Sequence, residues 1–260
     1  MPIPYKTVEK ELFGKKYIFE IGRVAKQASG SVLVTCGGTT VLATVVATNE
    51  PVEEDFLPLT INYQEKSYAA GKIPGGYFKR EGRPSEHEVL TSRLIDRPIR
   101  PLITKDFNFP TQVIITVMST DQENSPDTLS LTAASAALMI SDIPFEGPIG
   151  GVRVGRINNE FIFNPSPEQR EEGDVNIIVA ATNEALVMVE GGAKEVSEAE
   201  VIDALMYAHD CIKELIKLQE ELVDGLNIEK REIIKQEENT EIAEIVKSFA
   251  TEKLDRKSVV

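Results

Sequence analysis

The sequence predicts an α+β domain, an α/β layered arrangement in which mixed β-sheet packs against helices. Three observations carry this expectation. β-Branched segments dominate the first fifty residues, a helix over 128–140 is too rich in small and apolar residues to face water on any side, and strands then alternate with helices without a regular βαβ repeat.

Residues 16–21 (KYIFEI), 31–35 (SVLVT) and 40–48 (TVLATVVAT) read as strands, with Gly37-Gly38 as the turn between the last two. After Pro51 the pattern loosens, and 69–83 (AAGKIPGGYFKREGR) has the glycine and proline content of a loop. Ser85 reads as a helix N-cap, because Glu88 three residues on completes a capping box ahead of Val89, Leu90, Leu94 and Ile95. Pro98 is expected to stop that helix near Arg97. Residues 112–117 (QVIITV) form a strong strand, followed by the buried helix over 128–140. Four more strands are expected over 151–157, 160–164, 175–180 and 185–190, with Gly191-Gly192 as a strand exit. From 197 to about 222 the period becomes helical, with Val201, Ala204, Leu205, Ala208, Ile212, Leu215 and Ile216 on one side. The tail beyond about 239 is a charged amphipathic helix without a core of its own, and reads as the opening of a further segment.

The 260 residues are 42% hydrophobic and 27% charged, which excludes a disordered or collagen-like chain, and no apolar run approaches the length of a membrane span. No basic-then-apolar leader is visible, and Cys36 and Cys211 stand far apart, so reduced thiols and a cytoplasmic location are expected. The net charge of −14 makes general attraction to nucleic acid unfavourable. One stretch reverses that sign: between residues 72 and 105, Lys72, Lys79, Arg80, Arg83, Arg93, Arg97, Arg100 and Lys105 outnumber Glu81, Glu86, Glu88 and Asp96.

Within it, Tyr77-Phe78-Lys79-Arg80 pairs two rings with two cations on a glycine-flanked loop, a combination suited to stacking bases and holding a phosphate backbone. A ring pair tucked into the core with its cations at the surface is the plainer reading. Arg93 and Arg97 are four apart and share a helix face, which Arg100 would continue if the helix did not break. Phosphate and internal acids, Glu86 on the same face and Asp96 nearby, are both open as their partners. Neither His87 nor His209 has a Ser, Cys or Asp partner at a triad spacing, and there is no Walker loop, dinucleotide fingerprint or Cys/His metal cluster. Asp121 and Glu123 could hold a hard cation, although an acidic turn after a strand is usually only solvated.

Three stretches, YFKREGRPSEHEVLTSRLIDRPIRPL, ALVMVEGGAKEVSE and GKKYIFEIGRVAKQASGSVLV, closely resemble the N-terminal core domain of the bacterial polynucleotide phosphorylase family. The resemblance implies an RNase PH-like core domain over 1–236 and the beginning of an all-helical segment over 237–260. It implies a phosphate-dependent 3′-to-5′ exoribonuclease of mRNA degradation, a polyribonucleotide nucleotidyltransferase that releases nucleoside diphosphates. Its partners would be single-stranded RNA, two further copies in a homotrimeric ring and other RNA-degradation proteins, with no membrane involved. Tyr77, Phe78, Lys79 and Arg80 match the family's loop around the ring aperture, with Tyr and Lys replacing its frequent Phe and Arg. Arg83, Arg93, Arg97 and Arg100 match basic positions facing the channel and the neighbouring active site.

The family's catalytic groups lie in its second core domain. Its phosphate-binding serine turn corresponds here to Ser125-Pro126-Asp127, where a proline removes a donor and an aspartate repels the anion. Its two aspartates and lysine correspond to Arg170, Asn176 and Ile178. No catalytic residue and no metal ligand is therefore expected in this chain, Mg2+ being implied for the full-length enzyme alone. A stand-alone RNA-binding or assembly module is the alternative. A single-domain RNase PH-type enzyme is a third reading, but would need the serine turn and the carboxylate pair.

Overall fold

A computed structural model of the chain, describing residues 3–53, 56–76, 82–233 and 240–255, builds two sheets around one buried helix. The first sheet contains β1 (Lys6–Leu12), β2 (Lys15–Ile21), β3 (Gly30–Cys36), β4 (Thr39–Ala47), β5 (Leu59–Glu65) and β6 (Thr111–Ser119), in the order β1-β2-β3-β4-β6-β5. Only the β5–β6 pair is parallel. The second is antiparallel and contains β7 (Gly150–Ile157), β8 (Glu160–Phe163), β9 (Val175–Ala181) and β10 (Leu186–Ala193), in the order β10-β9-β7-β8. The period-2 pattern works as expected: Val41, Ala43 and Val45 of β4 are fully buried, while Leu42 and Thr44 between them are only partly so.

Helix α1 (Glu86–Ile99) covers β5, and α2 (Pro126–Met139) lies between the sheets, with every residue from Asp127 to Leu138 buried. Both sheets approach α2 closely. A Cβ on Gly30 of β3 would stand 2.2 Å from the Ala137 carbonyl oxygen, and one on Gly151 of β7 would crowd Leu131. Two polar residues of this buried helix tie it to the second sheet: the Ser135 and Thr132 hydroxyls accept from the Ile149 and Gly151 amides at the start of β7. Helix α3 (Pro167–Glu172) is a short capped turn, α4 (Glu198–Val223) packs on β7, β9 and β1, and α5 (Thr240–Asp255) follows.

Two expectations need correction. α1 runs two residues past Arg97, because a proline in the last turn forfeits only the bond to the Leu94 carbonyl, and Pro98 and Ile99 are buried there; a 3-10 turn, Arg100–Leu102, then continues the chain. Gly191 and Gly192 are not an exit but lie inside β10, opposite Ile177 and Asn176. Among the described residues no helix is long and apolar enough to cross a membrane. The expected boundary at 236/237 falls outside the described residues.

Candidate nucleic-acid interface

The start of α1 is fixed by local chemistry. The Ser85 hydroxyl accepts from the Glu88 amide, and the Glu88 carboxylate accepts from Ser85 N at 2.6 Å, which is the capping box expected. The other Glu88 oxygen accepts from Glu65 N at the end of β5, and Ser92 accepts from Tyr63 N, so the helix is tied to its sheet through side chains on its inner face. The outer face is left to Glu86, Leu90, Arg93 and Arg97, spaced along one exposed stripe.

Tyr77, Phe78, Lys79 and Arg80 lie outside the described residues. Of the other expected cations, Arg83 and Arg93 are exposed, and neither has an ion-pair partner among the described residues. Arg97 pairs with Glu190 of β10 at 2.8 Å in an exposed contact. Arg100 is drawn inward: its guanidinium grips Asp96 through two nitrogens and donates to the Leu57 and Leu59 carbonyls. The stripe therefore splits into two uncommitted cations, one loosely held, and one that fixes the end of its helix.

Sequence reasoning missed an ionic cluster at the start of α2. Arg153 of β7 donates to Asp127 at 2.6 Å and to Asn176 of β9 at 2.8 Å, and the second Asp127 oxygen accepts from Thr128 N. Burial pushes the Asp127 carboxyl up, but Arg153 and these hydrogen bonds more than offset it and hold the pKa below the ordinary value. Burial and the neighbouring Arg153 charge lower the pKa of Arg170. The signal was present, two arginines, Arg153 and Arg156, in an otherwise apolar strand, GGVRVGRI. The cavity over the first turns of α2, lined by Tyr17, Cys36, Asn124, Ser125 and Thr128, holds about 10 Å³, room for one water and not for a phosphate.

Asp174, Glu200 and Asp121 are also occupied. Asp174 forms a two-pronged pair with Arg156, which also holds Glu200. Asp121 accepts from Gly38 N, Thr39 Oγ1, Glu123 N, Asn124 N and Asn124 Nδ2, locking the β3–β4 turn to the chain leading into α2. His87 sits 3.3 Å from Glu65, and His209 faces the Thr182 carbonyl. No group of three or more His, Cys, Asp or Glu side chains among the described residues could hold a metal ion. At the start of α2 the carboxylate is already neutralised by Arg153, a donor set that does not fit Mg2+.

The first-domain model of the 3′ exoribonuclease family matches residues 14–144 and the second-domain model residues 147–211, a division that falls between the two sheets. A polyribonucleotide nucleotidyltransferase of Exiguobacterium sibiricum is 56% identical over 225 residues, 86% of this chain and 30% of the relative. That of Geotalea uraniireducens is 52% identical over 244 residues, 94% of this chain and 35% of the relative. The chain thus spans about a third of the length of the curated relatives it matches. In fold it is similar to rice (Oryza sativa) Rrp46, with a TM-score of 0.60 at 15% identity over 85% of this chain and 94% of that one. The α+β arrangement is accordingly an RNase PH-like one, and the chain belongs to the 3′ exoribonuclease family.

Proposed function

We propose that this chain is the first core domain, residues 1–236, and the opening of the helical segment, 237–260, of a polyribonucleotide nucleotidyltransferase that degrades RNA from the 3′ end with phosphate. Its own part is to guide single-stranded RNA and to help build a homotrimeric ring, while bond cleavage and its Mg2+ belong to a second core domain. The observation that carries this reading is the Asp127–Arg153 pair. Where a phosphorolytic site needs an anion cradle, this chain places a buried, self-neutralised ion pair in the first turn of α2.

RNA guidance falls to Arg83 and Arg93, to Arg97 once it leaves Glu190, and to Tyr77, Phe78, Lys79 and Arg80. Arg100, with both its charge and its N–H groups engaged, fixes the end of α1 instead.

The test is release of nucleoside diphosphate from poly(A) with phosphate and Mg2+. The chain alone is expected to release none, and turnover above a phosphate-free control overturns the reading. In the same preparation Phe78→Ala is expected to weaken oligoadenylate binding by about 1–3 kcal/mol.

A further inference from the structure

One exposed ring is left over by this account. Tyr68 sits on the 3-10 turn Ser67–Ala70 that follows β5; it is 55% exposed, and among the described residues its hydroxyl reaches only the Met118 sulfur, at 4.0 Å. The turn beneath it is pinned. Ala69 is buried and its carbonyl accepts from Thr120 N at 3.0 Å, Gly71 closes the turn at φ 65°, and Lys72 N donates to Ser67 O at 2.9 Å. The ring is therefore held out in water by a fixed backbone. Ile73, five residues on, is 92% exposed, and Met118 is 42% exposed.

We propose that Tyr68, with Lys72 beside it, is a base-stacking platform for single-stranded RNA. The inference rests on the RNA-guiding role proposed above and extends the strand's path beyond α1. Charge favours a polyanion as the occupant: Lys72 opens a stretch, residues 72–105, in which eight cations face four acids, against the chain's net −14. An exposed ring on a pinned turn can stack on any base face, and the ammonium of Lys72, four residues on, can meet a phosphate.

The chain has no tryptophan, so Tyr68→Trp places its sole indole on the platform. Saturating oligoadenylate is expected to quench that indole's emission. In anisotropy titrations with labelled oligoadenylate, Tyr68→Ala should raise Kd about 5- to 150-fold while Tyr68→Phe stays within about two-fold. Melting temperature should not move for either, since more than half of the residue is exposed to solvent.

An unquenched indole at saturation overturns the inference, as does unchanged affinity in Tyr68→Ala. If Phe78→Ala weakens binding while Tyr68→Ala does not, the platform falls and the RNA-guiding role stands. If the unsubstituted chain binds no oligoadenylate, both fall. A Tyr68→Ala chain with unchanged RNA affinity but altered sedimentation assigns the surface to a protein contact and also overturns the inference.

Discussion

Arg153 and Asp127 sit where an unpaired charge is most expensive, with both side chains almost wholly removed from water. Deleting one partner leaves the other buried without compensation, so Arg153→Met should cost about 3–5 kcal/mol in a urea melt. Adding Asp127→Asn should recover a large part of that loss; equal stability of the single and double variants would show that the charge is not its source. His87 gives a pH signature instead. Its bond to Glu65 raises its pKa, against the opposing effect of partial burial, with Tyr63, Glu88 and Asp127 as the other titratable groups around it. A raised folded-state pKa means the pair's stabilisation is full below about pH 6.5 and fades as pH rises through the folded value. The His87 bond lowers the Glu65 pKa, against the effect of burial, so the acid limit starts only below about pH 4.5. His87→Gln should flatten the melting temperature between pH 5 and 8, and parallel curves for the two proteins would discount the pair. Neither contact was legible in the sequence. Each joins residues more than twenty apart whose meeting depends on which strands pair.

Elements specified by neighbouring residues were readable, and those specified by distant ones were not. The capping box at Ser85 lies within four residues and marks the start of α1, while the helical period from Ser197 marks that of α4, where the structure adds a second box with Glu200. The small, apolar run of α2 declared burial on both sides, and both sheets cover it. Strands β1 and β5 went unread because they are the sheet's edges, one charged along its outer face and one held by parallel pairing to β6, which no local turn announces. The segment after α4 was equally silent, yet it clamps the far end of α2. Lys230 donates to the carbonyls of Leu138, Met139 and Ser141, while Arg231 binds Asp142 and the Ala47 and Thr48 carbonyls and stacks over Phe109 at 5.4 Å. A cation on the last carbonyls of a helix satisfies groups the helix cannot and complements its dipole. Lys230→Ala should therefore cost about 1–2 kcal/mol, measured by denaturant titration, and Lys230→Arg should restore part of it. An unchanged midpoint in Lys230→Ala would make the strap a passive covering.

At the scale of the molecule, an acidic chain must bind a polyanion through a few cations, so binding should depend on how many of them are free. For single strands the affinity falls with salt by about 0.7 logarithmic units per tenfold for each phosphate neutralised. Arg93, exposed and without an ion-pair partner among the described residues, should contribute a whole contact, and Arg93→Ala should lower that slope by about 0.7. Arg97 must first release Glu190, so Arg97→Ala should lower it by less. The converse separates competition from simple proximity: Glu190→Gln removes the internal acid, frees Arg97 and should tighten oligoadenylate binding by up to about five-fold at low salt. These substitutions touch solvent-facing side chains, and the fold offers no reason for them to melt early. If Arg93→Ala instead lowers the melting temperature and leaves the salt slope intact, the stripe on α1 is part of the scaffold, and the strand must be held elsewhere.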